Sequence, residues 1–254
     1  MKNRYILSPS FLDESILKLE SLAKSDWLIN KSPLPSLNKQ LRISAIHKPL
    51  ADLVFKEIIT GNRPISIAGD CCSAIGVLAG LQKSGVNPFL IWFDAHGDFN
   101  TWETTESGFL GGMPLAMIVG RGDQTMPKAI GLKAIAENRI ILTDARDLDP
   151  GERKLLETSE IAHLTNVKEL LEYSLPAGPL YVHFDCDVVS PEESPAQNYP
   201  AYGGPSSSLM HSVFSRLAKS KQIAAVSLSS WNPELDKDKK SEIVSLSLLN
   251  TLIG

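Results

Sequence analysis

The stretch that decides the fold is Pro88-Phe89-Leu90-Ile91-Trp92-Phe93-Asp94-Ala95-His96-Gly97-Asp98-Phe99-Asn100. Its apolar run stops at Phe93 and is followed by three potential metal ligands spaced by two. A short apolar run bounded by turn residues reads as a buried strand. Ligands at its C-terminal end then lie where open α/β sheets bind their ligands. Residues two apart on a strand share a face, so Asp94 and His96 point the same way, and Asp98 joins them if the chain turns at Gly97. A second stretch answers the first: Leu180-Tyr181-Val182-His183-Phe184-Asp185-Cys186-Asp187 is again an apolar run ending in two carboxylates spaced by two. Four aspartates and one histidine at two strand ends are enough for a shared site holding two divalent metals.

Composition sets the bounds. The chain has 254 residues, 43% of them hydrophobic and 21% charged, with a net charge of −4. That balance supports a full core and offers no electrostatic case for nucleic acid or an anionic membrane. No apolar run is long enough to span a bilayer. Met1 to Leu7 lacks the apolar core of a signal peptide. Cys71, Cys72 and Cys186 are an odd set with two adjacent members, which is no disulfide framework, and a reducing, cytoplasmic setting is expected.

Along the chain, strands are predicted at Tyr5–Ser8, Pro64–Ala68, Arg139–Thr143, Ile161–Leu164 and Ile223–Leu228. Helices are predicted at Ser10–Ala23, Ile43–Thr60, Ser73–Lys83, Pro114–Val119, Pro150–Thr158, Val167–Tyr173, Leu209–Ala218 and Ser241–Ile253. Asn30–Leu41, Thr101–Gly112, Ser190–Ser208 and Ser229–Lys240 read as loops. Strands alternating with helices imply a parallel sheet covered on both faces, and with no repeat or linker residues 1–254 read as a single α/β domain.

Four blocks, in order, resemble the arginase–agmatinase (ureohydrolase) family. Asp94-Ala95-His96-Gly97-Asp98-Phe99-Asn100-Thr101 resembles its D-A-H-x-D-x-N block. Arg146-Asp147-Leu148-Asp149-Pro150-Gly151-Glu152 is similar to its R-D-V-D-P-G-E turn. Phe184-Asp185-Cys186-Asp187, with Ser190-Pro191, Pro195-Ala196 and Gly203-Gly204, resembles its F-D-x-D block and loop, and Ala68-Gly69-Asp70-Cys71 stands at its G-G-D-H block. The resemblance implies a three-layer α/β/α sandwich with a mainly parallel sheet, two Mn²⁺ ions, a small-molecule guanidino substrate and a homo-oligomer. It implies metal ligands at Cys71, Asp94, His96, Asp98, Asp185 and Asp187, with Asp94, Asp98 and Asp185 serving both ions. Asp98 would also hold the metal-bridging hydroxide that attacks the guanidino carbon. Carboxylates and imidazole suit Mn²⁺, and a metal pair lowers the pKa of a shared water.

The family also implies where the substrate lies. Asn100, Thr105 and Ser107 stand where an amino acid's α-carboxylate is held, and Asp149 and Glu152 where its α-amino group is met. Neutral donors suit a carboxylate and paired acids an ammonium. Three positions depart from the pattern. Cys71 replaces a metal-binding His, Gly111 a His proposed to shuttle protons, and Ser230 a Glu facing the guanidinium. A buried permanent cation wants a carboxylate, so Ser230 fits a less basic head, and Gly111 is expected to leave room for a larger one. The substrate these changes favour is Nω-hydroxy-L-arginine, hydrolysed to ornithine and hydroxyurea. The alternatives are an arginase- or agmatinase-type hydrolase of another guanidino compound, or an inactive binding protein on the same fold. Cys72, Cys186, Trp92 and Phe93 read as core, His183 as structural, and Trp231 as a residue at the pocket mouth.

Overall fold

The computed structural model describes residues 1–254. In chain order its strands are β1 (Asn3–Ser8), β2 (Ser10–Phe11), β3 (Glu14–Ser15), β4 (Leu28–Ile29), β5 (Arg63–Ala68), β6 (Phe89–His96), β7 (Ile140–Asp147), β8 (Ala162–Leu164), β9 (Leu180–Asp185) and β10 (Ile223–Ser229). The α-helices are α1 (Lys39–Ile59), α2 (Ser73–Lys83), α3 (Pro114–Ile118), α4 (Thr125–Ile130), α5 (Pro150–Glu157), α6 (Ser207–Lys219) and α7 (Lys240–Ile253). Eight strands form one sheet in the order β4-β1-β5-β10-β9-β6-β7-β8, and every pairing in it is parallel. β2 and β3 make a separate antiparallel hairpin.

Alternation along the central strands builds two cores, one on each face of the sheet. Leu90, Trp92, Leu142 and Tyr181 pack with Leu50, Val54, Leu78 and Leu81 of α1 and α2. Ile91, Phe93, Val182 and Phe184 pack with Phe214 and Leu217 of α6 and Leu248 and Leu252 of α7. Phe214 meets Phe93 and Phe184 edge-on at 5.0 and 5.1 Å between ring centroids. The result is the three-layer α/β/α sandwich expected from the sequence. No helix is long and apolar enough to cross a membrane.

Some local expectations fail for tertiary reasons. Ser10–Ala23 is not an α-helix: it forms the β2–β3 hairpin and a 3₁₀ segment, Leu17–Leu22. Its backbone is taken up by β5's end, with the Ser10 carbonyl accepting from Gly69 N at 2.9 Å and Leu12 N donating to Asp70 Oδ2 at 2.7 Å. Leu12 sits at φ 52°, which no helix allows. Leu19 is still buried, so the apolar spacing reported burial and not conformation. Val167–Leu171 is likewise 3₁₀, closed by an Asn166–Glu169 capping box. α1 begins earlier than expected, at Lys39, because Asn38 accepts from Leu41 N at 3.0 Å.

Two features of this packing give measurable consequences. A Cβ on Gly80 of α2 would lie 2.6 Å from the Ala51 carbonyl and from Val54 Cβ of α1. Gly80→Ala is expected to cost about 1–3 kcal/mol in urea unfolding. His47 of α1 is fully buried, its Nδ1 has no hydrogen-bond partner, and burial lowers its pKa to about 3. It is neutral in the fold but takes a proton in the unfolded chain once pH falls below about 6.5. Its contribution is therefore neutral above that pH and destabilising below it, by about 2 kcal/mol at pH 5. Replacing it with Leu is expected to raise the melting temperature relative to the parent more at pH 5 than at pH 7.

Candidate active site

A cleft of about 350 Å³ opens over the C-terminal ends of β5, β6, β7, β9 and β10. All of the candidate residues line it: Cys71, Asp94, His96, Asp98, Asn100, Thr105, Ser107, Gly111, Asp149, Glu152, Asp185, Asp187 and Ser230. This is the position that a parallel sheet assigns to its ligands.

The floor is built by the backbone. β6 and β7 pair regularly up to Asp94 and Asp144, then shift register so that His96 faces Asp147. Asp144 and Ala145 take φ of 75° and 47°, which kinks β7 at this register shift. The turn after His96 is made at Asp98, with φ 50°, and not at Gly97 as expected. Gly97 is a glycine for another reason: a Cβ there would lie 2.5 Å from Glu152 Oε1. Glu152 accepts from Phe99 N at 2.8 Å and Asp149 N at 3.3 Å, so it clamps the turn to the start of α5.

His96 Nδ1 lies 3.0 Å from Asp187 Oδ2 and 3.4 Å from Asp94 Oδ1. Asp94 also accepts from Trp92 Nε1 at 3.1 Å, and Asp187 from Ala95 N at 3.1 Å. Across the floor, Cys71 Sγ lies 2.6 Å from Asp185 Oδ2 and 3.1 Å from Ser229 Oγ. Ser230, at φ 66°, turns its hydroxyl onto the same Asp185 oxygen. Behind them a buried chain runs from Ser229 to His183 Nε2 at 3.4 Å, from His183 Nδ1 to Ser227 at 2.8 Å, and from Ser227 to the Tyr181 hydroxyl at 2.7 Å.

The electrostatics follow from gathering four carboxylates where water is scarce. Burial, then Asp94 and Asp185, push Asp98 well above the carboxylate range. Burial, then Asp187 and Asp94, do the same to Asp185. Asp94 is pushed up to about 6 by burial and by Asp187. Burial acts on Asp187 too, but the hydrogen bond and charge of His96 outweigh it and hold that carboxyl low. Burial also opposes charge on His96, yet its bonds to Asp187 and Asp94 push it up to about 12. One imidazolium cannot balance this floor.

The donor set fits divalent cations. Asp98 Oδ2 is buried with no hydrogen-bond partner, an acceptor aimed at nothing the protein provides. Asp94, His96 and Asp187 offer ligand atoms within 4.8 Å of one another, as do Cys71, Asp94 and His183. The second group brings in His183, which the sequence reading placed as structural.

The other end of the cleft sets the amide and hydroxyls of Asn100, Thr105 and Ser107 beside the carboxylates of Asp149 and Glu152. Asn100 Nδ2 donates to Asp149 Oδ2 at 3.0 Å, and Glu106 N donates to the same oxygen at 3.1 Å. Thr105 and Ser107 hydroxyls lie 3.4 Å apart. Two expectations need correction. Gly111 leaves no open room, because the Phe109 ring fills the space its side chain would take. Trp231 is not at the mouth but in the core, with Nε1 bonded to Asp236 at 2.7 Å. The sequence reading also missed the aromatic lining of Phe11, Phe109 and Tyr199. Phe109 had a signal, since it lies between Ser107 and Gly111 in the Thr101–Gly112 loop; Phe11, in the stretch expected to be helical, and Tyr199, in the Ser190–Ser208 loop, had none.

Comparison with known proteins gives this arrangement a family. The Arginase family model matches residues 21–254. The chain belongs to the arginase family. It is accordingly a metal-dependent hydrolase acting on a C–N bond of a linear amidine. It is 33% identical to an arginase of Bacillus subtilis over 237 residues, covering 89% of this chain and 79% of that one. A crystal structure of that species' arginase superposes with a TM-score of 0.86 at 26% identity, covering 100% and 99% of the two chains. An Entamoeba histolytica arginase solved in complex with L-ornithine gives 0.84 at 25% identity, covering 100% and 98%.

The charge imbalance is open to test. Carboxyls raised in the fold release protons more readily in the unfolded chain, so the metal-free protein loses stability as pH rises from about 4 toward neutrality. Asp98→Asn removes part of that repulsion. It is expected to raise the metal-free melting temperature at pH 8 by about 2–4 °C per kcal/mol relieved, and to reduce any further rise on adding a divalent metal.

Proposed function

We propose that this chain hydrolyses Nω-hydroxy-L-arginine to ornithine and hydroxyurea, with two Mn²⁺ ions held by Cys71, Asp94, His96, Asp98, Asp185 and Asp187. The observation that carries the reading is Ser230. Its hydroxyl, not a carboxylate, faces the cleft and is tied to Asp185. The N-hydroxyguanidino group is less basic than a guanidinium, so it loses less by meeting a hydroxyl where a buried permanent cation would go unpaired.

The opposite end suits an α-amino acid. The Asn100, Thr105 and Ser107 side chains would donate to a carboxylate, and Asp149 would meet an ammonium. That the Entamoeba histolytica arginase was solved with L-ornithine supports this orientation. Glu152 has a smaller part, because both of its oxygens already accept from backbone amides.

The metal pair, when bound, supplies a water activated at neutral pH. Asp98 Oδ2, free of any protein donor, accepts the hydrogen bond of the attacking water and keeps it in line with the reacting carbon. The water oxygen adds to the trigonal amidino carbon, and as the tetrahedral adduct collapses the C–N bond to the side-chain nitrogen breaks; that nitrogen takes up the proton the water gives up and leaves as the amine of ornithine. With glycine at 111, no side chain at that position serves as proton donor. The similarity to the Bacillus subtilis arginase favours a second substrate, L-arginine itself.

Steady-state hydrolysis by Mn²⁺-loaded protein decides between them, with hydroxyarginine, L-arginine and agmatine assayed side by side. A preference for hydroxyarginine of about tenfold or more in kcat/KM, about 1.4 kcal/mol, is expected. A preference for arginine or agmatine overturns the reading of Ser230.

A further inference from the structure

The cleft has a charged floor and an aromatic roof, and position 111 joins the two. Gly111 has no positive φ, so its backbone does not call for glycine. Its surroundings do: a Cβ there would lie 2.3 Å from Phe109 Cε1 and 2.5 Å from Cζ. The next residue, Gly112, would meet nothing within 4 Å. The ring and not the turn therefore demands the missing side chain.

The ring is held in place from three directions. It stacks on Phe11 of the β2–β3 hairpin at 6.2 Å between centroids, with 17° between planes. It meets Tyr199, from the loop after β9, at 4.9 Å and 44°. Its own segment is bound to the Asp98 turn, with Asn100 N donating to the Gly112 carbonyl at 3.1 Å and Leu115 N to the Asp98 carbonyl at 2.9 Å. Phe109 N donates to Ser107 Oγ at 3.2 Å. The segment that carries the ring is thus tied to the Asp98 turn, and the ring lines the same cleft as Asp98 and Cys71.

We propose that Phe109 is the specificity-determining residue of this cleft: its ring occupies the volume of a side chain at position 111 and covers a planar amidino head by its face. This rests on the reading that a guanidino-type head lies over the acidic floor. An aromatic face attracts a planar, partly cationic group and has no use for a hydrated one. It also keeps water off the side of the head opposite the acids. With no carboxylate at position 230, the ring supplies the contact that a planar head gains and a bare amine does not.

The test is a double-mutant cycle on positions 109 and 111, run on whichever of hydroxyarginine, arginine and agmatine the wild type hydrolyses best. F109A is expected to lower kcat/KM about tenfold while the inhibition constant of L-ornithine, which lacks the head, changes less than about twofold. F109L is expected to recover only part of the loss, since it fills space without presenting a ring. G111A is expected to cost about tenfold alone and almost nothing further in the F109A background, because the clash partner is gone. G112A, as a folding control, should melt with the wild type. Additive losses at the two positions, or equal weakening of ornithine and substrate by F109A, overturn the proposal. If the wild type hydrolyses arginine and not hydroxyarginine, the substrate reading falls and the cycle still judges the ring. If it hydrolyses none of the three, the same cycle is read as calorimetric affinity for arginine against ornithine, with the same two patterns deciding.

Discussion

Four carboxylates buried at the end of one sheet are the constraint around which the remaining structure is arranged. Left alone they would repel one another, and the protein answers with fixed dipoles as well as with His96. Ala95 N and Asp187 N donate to the Asp187 and Asp185 side chains, and His96 N donates to Asp94. Arg146 adds a cation just outside the floor. It pairs with Asp144 and donates to the carbonyls of Asp187, Val188, Ala201 and Tyr202. One side chain so fastens the loop that follows Asp187 to the kinked end of β7. Of the seven non-glycine residues with left-handed backbone, four (Asp98, Asp144, Ala145 and Ser230) aim or support this floor, as expected where a site is held against local preference.

The two long apolar runs ending in acids made the sheet and its metal-ligand candidates legible in the sequence. Burial and chemistry are written together there, and a parallel sheet leaves few places for either. The helices flanking the core were legible where apolar spacing and a stop residue agreed, as at Ser73–Lys83. What was not legible depended on partners far along the chain. Nothing local in Ser10–Ala23 says that Asp70 and Gly69 will claim its backbone. Nothing near Gly97 says that Glu152 will lie against it. The roof of the cleft was hidden for the same reason: Phe11, Phe109 and Tyr199 lie far apart in sequence and meet only after folding.

The floor is also asymmetric. One side gathers His96 with Asp94 and Asp187. The other sets the Cys71 sulfur against Asp185, backed by Ser229, His183, Ser227 and Tyr181 in a dry hydrogen-bonded row. Burial lowers the pKa of His183 to about 3, so it serves this row as a neutral ring stacked on Trp92 at 3.8 Å. A sulfur is larger and softer than a ring nitrogen, and the row behind it fixes its position. The asymmetry therefore belongs to the architecture of the sheet as much as to the side chain at residue 71.

The place of β10 has a consequence for how the chain is made. It is the last strand in sequence, yet it lies in the middle of the sheet, between β5 and β9. A ribosome that has released everything before residue 223 has released two unjoined half-sheets. One is β4-β1-β5 and the other β9-β6-β7-β8, each with an unpaired inner edge. Both edges must stay apart from other nascent chains until the final segment slots between them. Cys71 comes from one half, and Asp94, His96, Asp98, Asp185 and Asp187 come from the other. The floor of the cleft is therefore completed by the same late event that closes the sheet, and the incomplete chain has no means of presenting it earlier.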